Sequence, residues 1–402
     1  MVIFPNLGVT KQTTMPRPKI TLFSQVLQMI DRVSFQQIVN KHESDKHSKG
    51  INSWTHFVAM LFMQMSDCHS LRDISMGLRS ATGNLHHMGV QRAPSKSSIS
   101  YINKNRGYEV FQDLYFALLE KYEPSLQRRR RYARRLKKKL FVMDSSVIPM
   151  SLSLFDWAKY RTKKGAIKLH AVLDYDSGLP CYASLTDGKK HDIKKARDVI
   201  FPSGSVLTVD RAYIDFKWLY NLDSNGVTFV SKFKKNLSHR IVKINLVNDE
   251  HEHVMEDYEV ELTGDETSKS YPKNLRVLRV YDEKKDVYFL LVTNQMSWTA
   301  DTISQVYKAR WAIETFFKHI KQLFRVKTFV GTSPNAVRIQ MWCAMIAILL
   351  LKYLRQKGKH PWGLSNLITF MRINLFVKID LWKWIDKPID KKLNLPPPNL
   401  LF

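Results

Sequence analysis

The sequence predicts an α/β fold: a sheet whose functional groups gather at one edge, with helical regions before and after it. Three observations predict it. At Leu140 the hydrophobic period changes from steps of three and four residues to short apolar runs. Two of those runs, LFVMDSS and SVLTVDRAY, end in a carboxylate, and the second leads into a helical pattern. Finally, Thr302 to Arg325 (TISQVYKARWAIETFFKHIKQLFR) contains neither Pro nor Gly and reads as one helix.

On that helix, at 100° per residue, Ile313, Phe316, Phe317, Ile320, Leu323 and Phe324 form a core-facing stripe. Tyr307, Arg310, Glu314 and Lys321 fall within about 60° of arc beside it. A carboxylate is thereby held at the edge of a core, next to two cations and a phenol. The same spacing also suits a solvated face with an Arg310–Glu314 pair, worth only about 0.2–0.5 kcal/mol.

The chain before the sheet carries helical patterning from Thr21 to about Glu123, including SLRDISMGLRS with Ser70 as N-cap, a break at Gly83–Gly89, and SKSSISYINKNR. Residues 1–126 suit either a helix-turn-helix-like DNA reader or a helical domain packed on the core; no groove-reading pattern separates the two. Residues 127–139 (QRRRRYARRLKKK) form a basic linker in which nine of thirteen residues are Lys or Arg. Arg128, Arg129, Arg130, Arg131, Arg134 and Arg135 are read there as a grip on the phosphate backbone, which positions DNA without reading it.

Residues 140–226 form the first part of the core. Within it, KLHAVLDYDSGLPCYASLTDG reads as two strands joined by an Asp-Ser-Gly turn, HDIKKARDVI as a helical connection, and Asp210 sits between a strand and a helix. Residues 227–295 hold several strand-like runs, too long for a connection inside a compact sheet, and are read as an inserted β subdomain. Residues 296–332 return to the core with the Glu314 helix. Residues 333–402 are a helical C-terminal region in which VRIQMWCAMIAILLLKYLRQK is a buried helix, followed by a Pro-rich tail.

Composition narrows the function. At 402 residues the chain supports two or three domains, and 44% hydrophobic residues with 21 Phe indicate a globular protein. A formal charge of +27 calls for a polyanionic partner, with nucleic acid first and an anionic membrane second. The longest apolar run, Met341 to Leu351, is too short to span a bilayer, and the N-terminus does not read as a secretory signal. Cys68, Cys181 and Cys343 form neither a disulfide framework nor a zinc spacing, which fits a reducing cytoplasm.

Phosphodiester chemistry without a protein nucleophile needs carboxylates converging from different elements on hard divalent cations. Asp144, Asp210 and Glu314 are the candidates. Alternative roles are open: Asp144 as a cap after its strand, Asp210 as the partner of Arg211. Asp174 is the rival for the first position but reads as a hairpin-turn residue, and Asp187 and Asp192 lie in loop-like TDGKKHD. His251 and His253 alternate on a strand without a third ligand, as a surface patch would.

The spacing Tyr307-x2-Arg310-x3-Glu314-x6-Lys321, preceded in order by FVMDSS, KLHAVLDYDSGLP…LTDGKKHD and VDRAY, resembles the YREK signature of DDE transposases of the insertion-sequence-four type. The resemblance covers most of the chain; Ala212 stands where the family often has Gly. It implies a ribonuclease-H-like core carrying a β insertion between the second aspartate and the glutamate. It also implies Asp144, Asp210 and Glu314 as catalytic ligands of two Mg2+ ions, with Mn2+ as a substitute, and Tyr307, Arg310 and Lys321 as contacts to phosphates at the element end. Trp298, just before the helix, would either stack on a flipped base or plug the joint between insertion and core. The implied protein is a bacterial insertion-sequence transposase, cytoplasmic and nucleoid-associated, that cuts and rejoins DNA by a hairpin route. Its partners would be its terminal inverted repeats, target DNA and a second copy of itself on DNA, with no membrane and no small-molecule substrate. A catalytically silent DNA-binding protein and a host nuclease of the same fold are the alternatives.

Overall fold

The computed structural model describes residues 20–81, 83–126, 136–150, 159–161, 164–187, 192–233, 237–245, 253–283, 285–323 and 329–389, with the backbone only at 159–161, 164–165, 187 and 323. Among the described residues before the sheet, the α-helices are α1 Leu22–Leu27, α2 Arg32–Lys41, α3 Ser53–Ser66, α4 Leu71–Ser80, α5 Lys96–Asn105 and α6 Glu109–Leu126. Thr21, Asp31, Asn52, Ser70 and Ser95 each accept a first-turn N–H at the head of the first five, satisfying a donor the helix cannot.

The sheet follows. Its strands are β1 Leu140–Met150, β2 Lys159–Arg161, β3 Lys164–Asp174, β4 Leu179–Asp187, β5 Val206–Val209, β6 Thr228–Lys232, β7 His239–Ile244, β8 Val254–Leu262, β9 Leu275–Asp282 and β10 Val287–Thr293. β3 pairs antiparallel with both β4 and β1, and β1, β5 and β6 run parallel. This is the ribonuclease-H-like arrangement. The turn between β3 and β4 closes through Gly178 at φ 63°, a conformation that costs glycine nothing.

The strands read from the sequence as a β insertion add no separate layer. β10 pairs antiparallel with β6, and β9, β8 and β7 continue outward, so all ten strands form one sheet. β6, assigned to the insertion by its place in the sequence, is the last parallel strand of the core.

Connecting helices are α7 Asp192–Ala196, α8 Phe216–Ser224, α9 Asp265–Ser270, α10 Ala300–Lys308 and α11 Trp311–Leu323; α12 Pro334–Lys357, α13 Leu364–Asn374 and α14 Leu381–Asp386 close the chain. Strand alternation sends Phe141, Met143, Leu207 and Val209 to one face, against α8, and Leu140 and Val206 to the other, against α10. All four residues of β5 are buried, as a parallel strand covered on both faces requires.

The helical regions at the two ends of the chain share one core. α12 packs on α3, α5 and α6, and the Leu22 and Phe23 amides donate to the Val377 and Leu375 carbonyls. By length and hydropathy α12 could cross a membrane, but 83% of its most apolar window is buried inside the protein. That burial accounts for its apolar surface. The same core takes in Val142 of β1 and Ile313, Phe316, Phe317 and Ile320 of α11, fixing α11 against the sheet. Residues 81–95 separate α4 from α5, whereas the joints α1–α2 and α5–α6 are the short segments 28–31 and 106–108.

Candidate active site

Register brings the first two candidates together. In the parallel pair β1–β5, Met143 lies opposite Val209, so Asp144 and Asp210 follow at the same level on neighbouring strands, whose backbones are about 4.8 Å apart. Asp210 ends its strand by capping the short turn Arg211–Tyr213, its Oδ1 accepting the Arg211 N–H at 2.7 Å. Asp144 shares the face of Leu140 and Val142, toward α10 and α11.

The segment 302–325 is not one helix. It breaks between α10 and α11, where the Arg310, Ala312 and Ile313 amides reach back three residues instead of four. Neither Pro nor Gly marks this tight turn. Arg310 stands in it, and its guanidinium meets Glu314 Oε1 at 2.5 Å and Asp144 Oδ2 at 3.7 Å. The i,i+4 pair is therefore present, but one partner also reaches the sheet. The apolar stripe faces the core as expected, with Ile313, Phe316, Phe317 and Ile320 buried. The Leu323 and Phe324 side chains lie outside the described residues.

Burial pushes the Asp144 carboxyl up to about 6; the Ser145 N–H and Arg310 oppose that shift, while Asp210 and Asp192 add to it. Burial works against the charge on Arg310 as well, yet Tyr307, Glu314 and Asp210 around it hold its pKa above the usual range. Lys232 at the end of β6 completes the surroundings. Its ammonium lies 4.7 Å from the Phe289 ring centre and 5.8 Å from that of Tyr307; burial lowers its pKa and Asp210 opposes the shift.

Tyr307 is buried, 7% exposed, beneath Lys232 and Arg310. Lys321 is half-buried in the last turn of α11, seven residues or about 10 Å along the axis from Glu314. Trp298 is half-buried against the α10 side of the sheet, with Lys138 of the basic linker 5.6 Å from its ring centre. Arg128, Arg129, Arg130, Arg131, Arg134 and Arg135 lie outside the described residues, as does His251. His253 is 3.5 Å from Glu283.

Asp174 is the turn residue its sequence indicates. Its Oδ1 accepts the Asp176 and Ser177 amides, and it pairs with Phe141, three residues back along β1 from Asp144. The Asp187 side chain is outside the described residues. Asp192 stands where the loop-like TDGKKHD meets the helical HDIKKARDVI: it opens α7 and lies close enough to Asp144 to raise its pKa. Its motif was visible in TDGKKHD, but only the fold reveals its neighbour. Nothing in the sequence marks Lys232.

Among the described residues no group of three or more His, Cys, Asp or Glu side chains is close enough to hold a metal ion. Arg310 lies between Asp144 and Glu314 and neutralises them instead. The donor chemistry nonetheless fits a hard divalent cation: carboxylates arrive from three separate elements, and burial disfavours the charge on one of them. A cation would take up the role the guanidinium now plays.

Residues 135–350 match the family described as "Transposase DDE domain", and residues 18–91 match a domain of unknown function, DUF4372. The chain is 31% identical over 263 residues to a putative transposase, y4zB, of Sinorhizobium fredii, covering 65% of this chain and 71% of that protein. It is 29% identical over 278 residues to the probable transposase for insertion sequence element IS5377 of Geobacillus stearothermophilus, covering 69% and 72%. Among solved structures, the piggyBac transposase synaptic complex with hairpin DNA aligns with a TM-score of 0.41 at 11% identity, over 92% of this chain and 81% of that one.

Proposed function

The chain belongs to the transposase DDE domain family and is a transposase of the insertion-sequence kind, and from that premise we propose that Asp144, Asp210 and Glu314 are the residues around which it cuts and rejoins DNA. The observation that carries this reading is the meeting of three elements at Arg310: Asp144 and Glu314 contact its guanidinium, and Asp210 lies level with Asp144. The three carboxylates would hold two divalent ions, Mg2+ with Mn2+ as a substitute. Bound there, the ions supply activation of the attacking oxygen and neutralisation of the leaving one.

The chain's own groups do the positioning. Arg310 exchanges carboxylate for phosphate oxygens when DNA enters, and Lys321 grips a phosphate farther along α11, holding the backbone in line for displacement. Lys232 adds positive charge beside Asp210. Cleavage frees a 3′-hydroxyl at each element end, and that hydroxyl is the nucleophile for the hairpin step and for joining to target DNA. The arginines of 127–139 and Trp298 extend the contact over the terminal inverted repeat. Two copies meet on paired ends, in the cytoplasm at the nucleoid.

The test is to incubate the protein with the ends of its own element and Mg2+, then map the cuts. Breaks at the element boundary that vanish with EDTA are expected; metal-independent binding without breaks would leave only a DNA-binding protein.

Arg310 gives a second expected outcome. An ion pair near 4 Å is worth about 1–4 kcal/mol between fully solvated and surface conditions. Arg310→Ala should therefore tighten Mn2+ binding to the protein alone by roughly tenfold while lowering cleavage. Calorimetric titration checks the first effect, and unchanged or weaker Mn2+ binding would show that Arg310 does not compete for the carboxylates.

A further inference from the structure

A second polar cluster lies on the opposite face of β1 from Arg310 and Glu314. Strand alternation turns Ser145 away from Asp144, toward α7. There the Ser145 hydroxyl donates to Asp192 Oδ1 at 2.6 Å. Lys168 Nζ stands 3.2 Å and His170 Nδ1 3.5 Å from the same oxygen. β1–β3 register explains the meeting, since His170 is opposite Ser145 and Lys168 opposite Val147, both directed to one face. His170 is fully buried, and its Nε2 is 2.8 Å from the Thr186 hydroxyl on β4. Asp192 thus meets β3 on one side and holds Ser145 of β1 on the other.

Ser145 connects this cluster to the site. Its backbone N–H donates to Asp144 Oδ1 at 2.7 Å, leaving Oδ2 as the oxygen that faces Arg310. We propose that Asp192 is a positioning residue that acts through Ser145: by anchoring the serine hydroxyl it fixes the N–H that sets the Asp144 carboxylate. Lys168 pairs with the Asp192 carboxylate from β3, and the His170 ring packs beside the same oxygen. A carboxylate that presents oxygens to a cation needs such support, and losing an outer partner of a ligand costs typically about 10–100-fold in metal affinity or activity.

This inference rests on the reading of Asp144 as a cleavage residue, and the experiment separates the two. Single-turnover cleavage of element ends, half-saturating Mn2+ and melting temperature are measured for the wild type, Asp192→Asn, Ser145→Ala, the double variant and Asp144→Asn. Asp192→Asn and Ser145→Ala should each lose about 10–100-fold in rate and need more Mn2+. The double variant should be no worse than Asp192→Asn alone, because both cut the same link. A wild-type rate for Asp192→Asn, or losses that multiply in the double variant, overturns the proposal. Should Asp192→Asn not fold, Ser145→Ala decides, since it removes one hydroxyl only; a wild-type rate and Mn2+ requirement there overturns the proposal too. Wild-type cleavage by Asp144→Asn overturns the underlying reading instead.

Discussion

Asp144→Asn and Glu314→Gln should each lower cleavage of the element ends by about 10³-fold or more, with DNA affinity kept within about threefold. Both changes keep the shape of the side chain and remove the charge. Ion-mediated stabilisation of a transferring phosphate is worth several kcal/mol, and each 1.36 kcal/mol is a factor of ten in rate. Binding should hold because the phosphate grip belongs to cations elsewhere, and one less negative charge near DNA does not weaken it. Stability adds a second signature. The Asp144 carboxyl titrates near 6 in the folded protein against 3.8 for a free one, so between those values the folded state binds more protons. The ionised side chain is then a cost that grows as pH rises from about 4 to about 6. Asp144→Asn should therefore melt no lower than the wild type above pH 6, although its activity collapses. A lower melting point together with equal losses of binding and cleavage would make Asp144 a structural residue.

Part of this site is legible in the sequence because apolar runs closed by a carboxylate point to one edge of a parallel sheet. FVMDSS and LTVDRAY carry that information locally. It holds for Asp210 at the end of β5, whereas β1 continues past Asp144 to Met150 in its pairing with β3. The register that sets Asp144 level with Asp210 does not appear in either run, since it depends on which strands are neighbours. The break before α11 is hidden for a related reason: without Pro or Gly, only the tertiary pull of Asp144 on Arg310 and the packing of Ile313, Phe316 and Phe317 distinguish a turn from a continuous helix. Hydrophobic patterning shows that α12 has a covered surface but not that helices more than 200 residues earlier cover it. The continuity of β6 with β10 is likewise a pairing choice, and a run such as VTFVSK fits a core strand or an insertion strand equally well.

The connection between the outer strands and the site leads to the second large effect, a loss of about 3–5 kcal/mol in stability on Asp257→Ala. Asp257 on β8 and Arg276 on β9 form a two-point ion pair, with Nε to Oδ1 at 2.9 Å and Nη2 to Oδ2 at 2.6 Å. Both side chains are almost fully buried, 4% and 6% exposed, so water does not screen the charge left behind. Arg276 does more than pair. Its Nη1 donates to the Trp298 carbonyl at 2.6 Å and the Met296 carbonyl at 3.1 Å, fixing the segment that enters α10 and so the placement of Tyr307. Asp257→Ala leaves a guanidinium in a site built for a pair, whereas Asp257→Ala with Arg276→Met removes both charges and should recover most of the loss. The double variant should still cleave poorly, because the carbonyls ahead of α10 then lose the Arg276 donor. Urea midpoints for the singles and the double test the energetics, and cleavage at low temperature tests the link to the site. A single variant that loses less than about 1 kcal/mol would mean that water or a neighbour meets the orphaned charge; full activity in the stable double variant would mean that the α10 entry is set without Arg276.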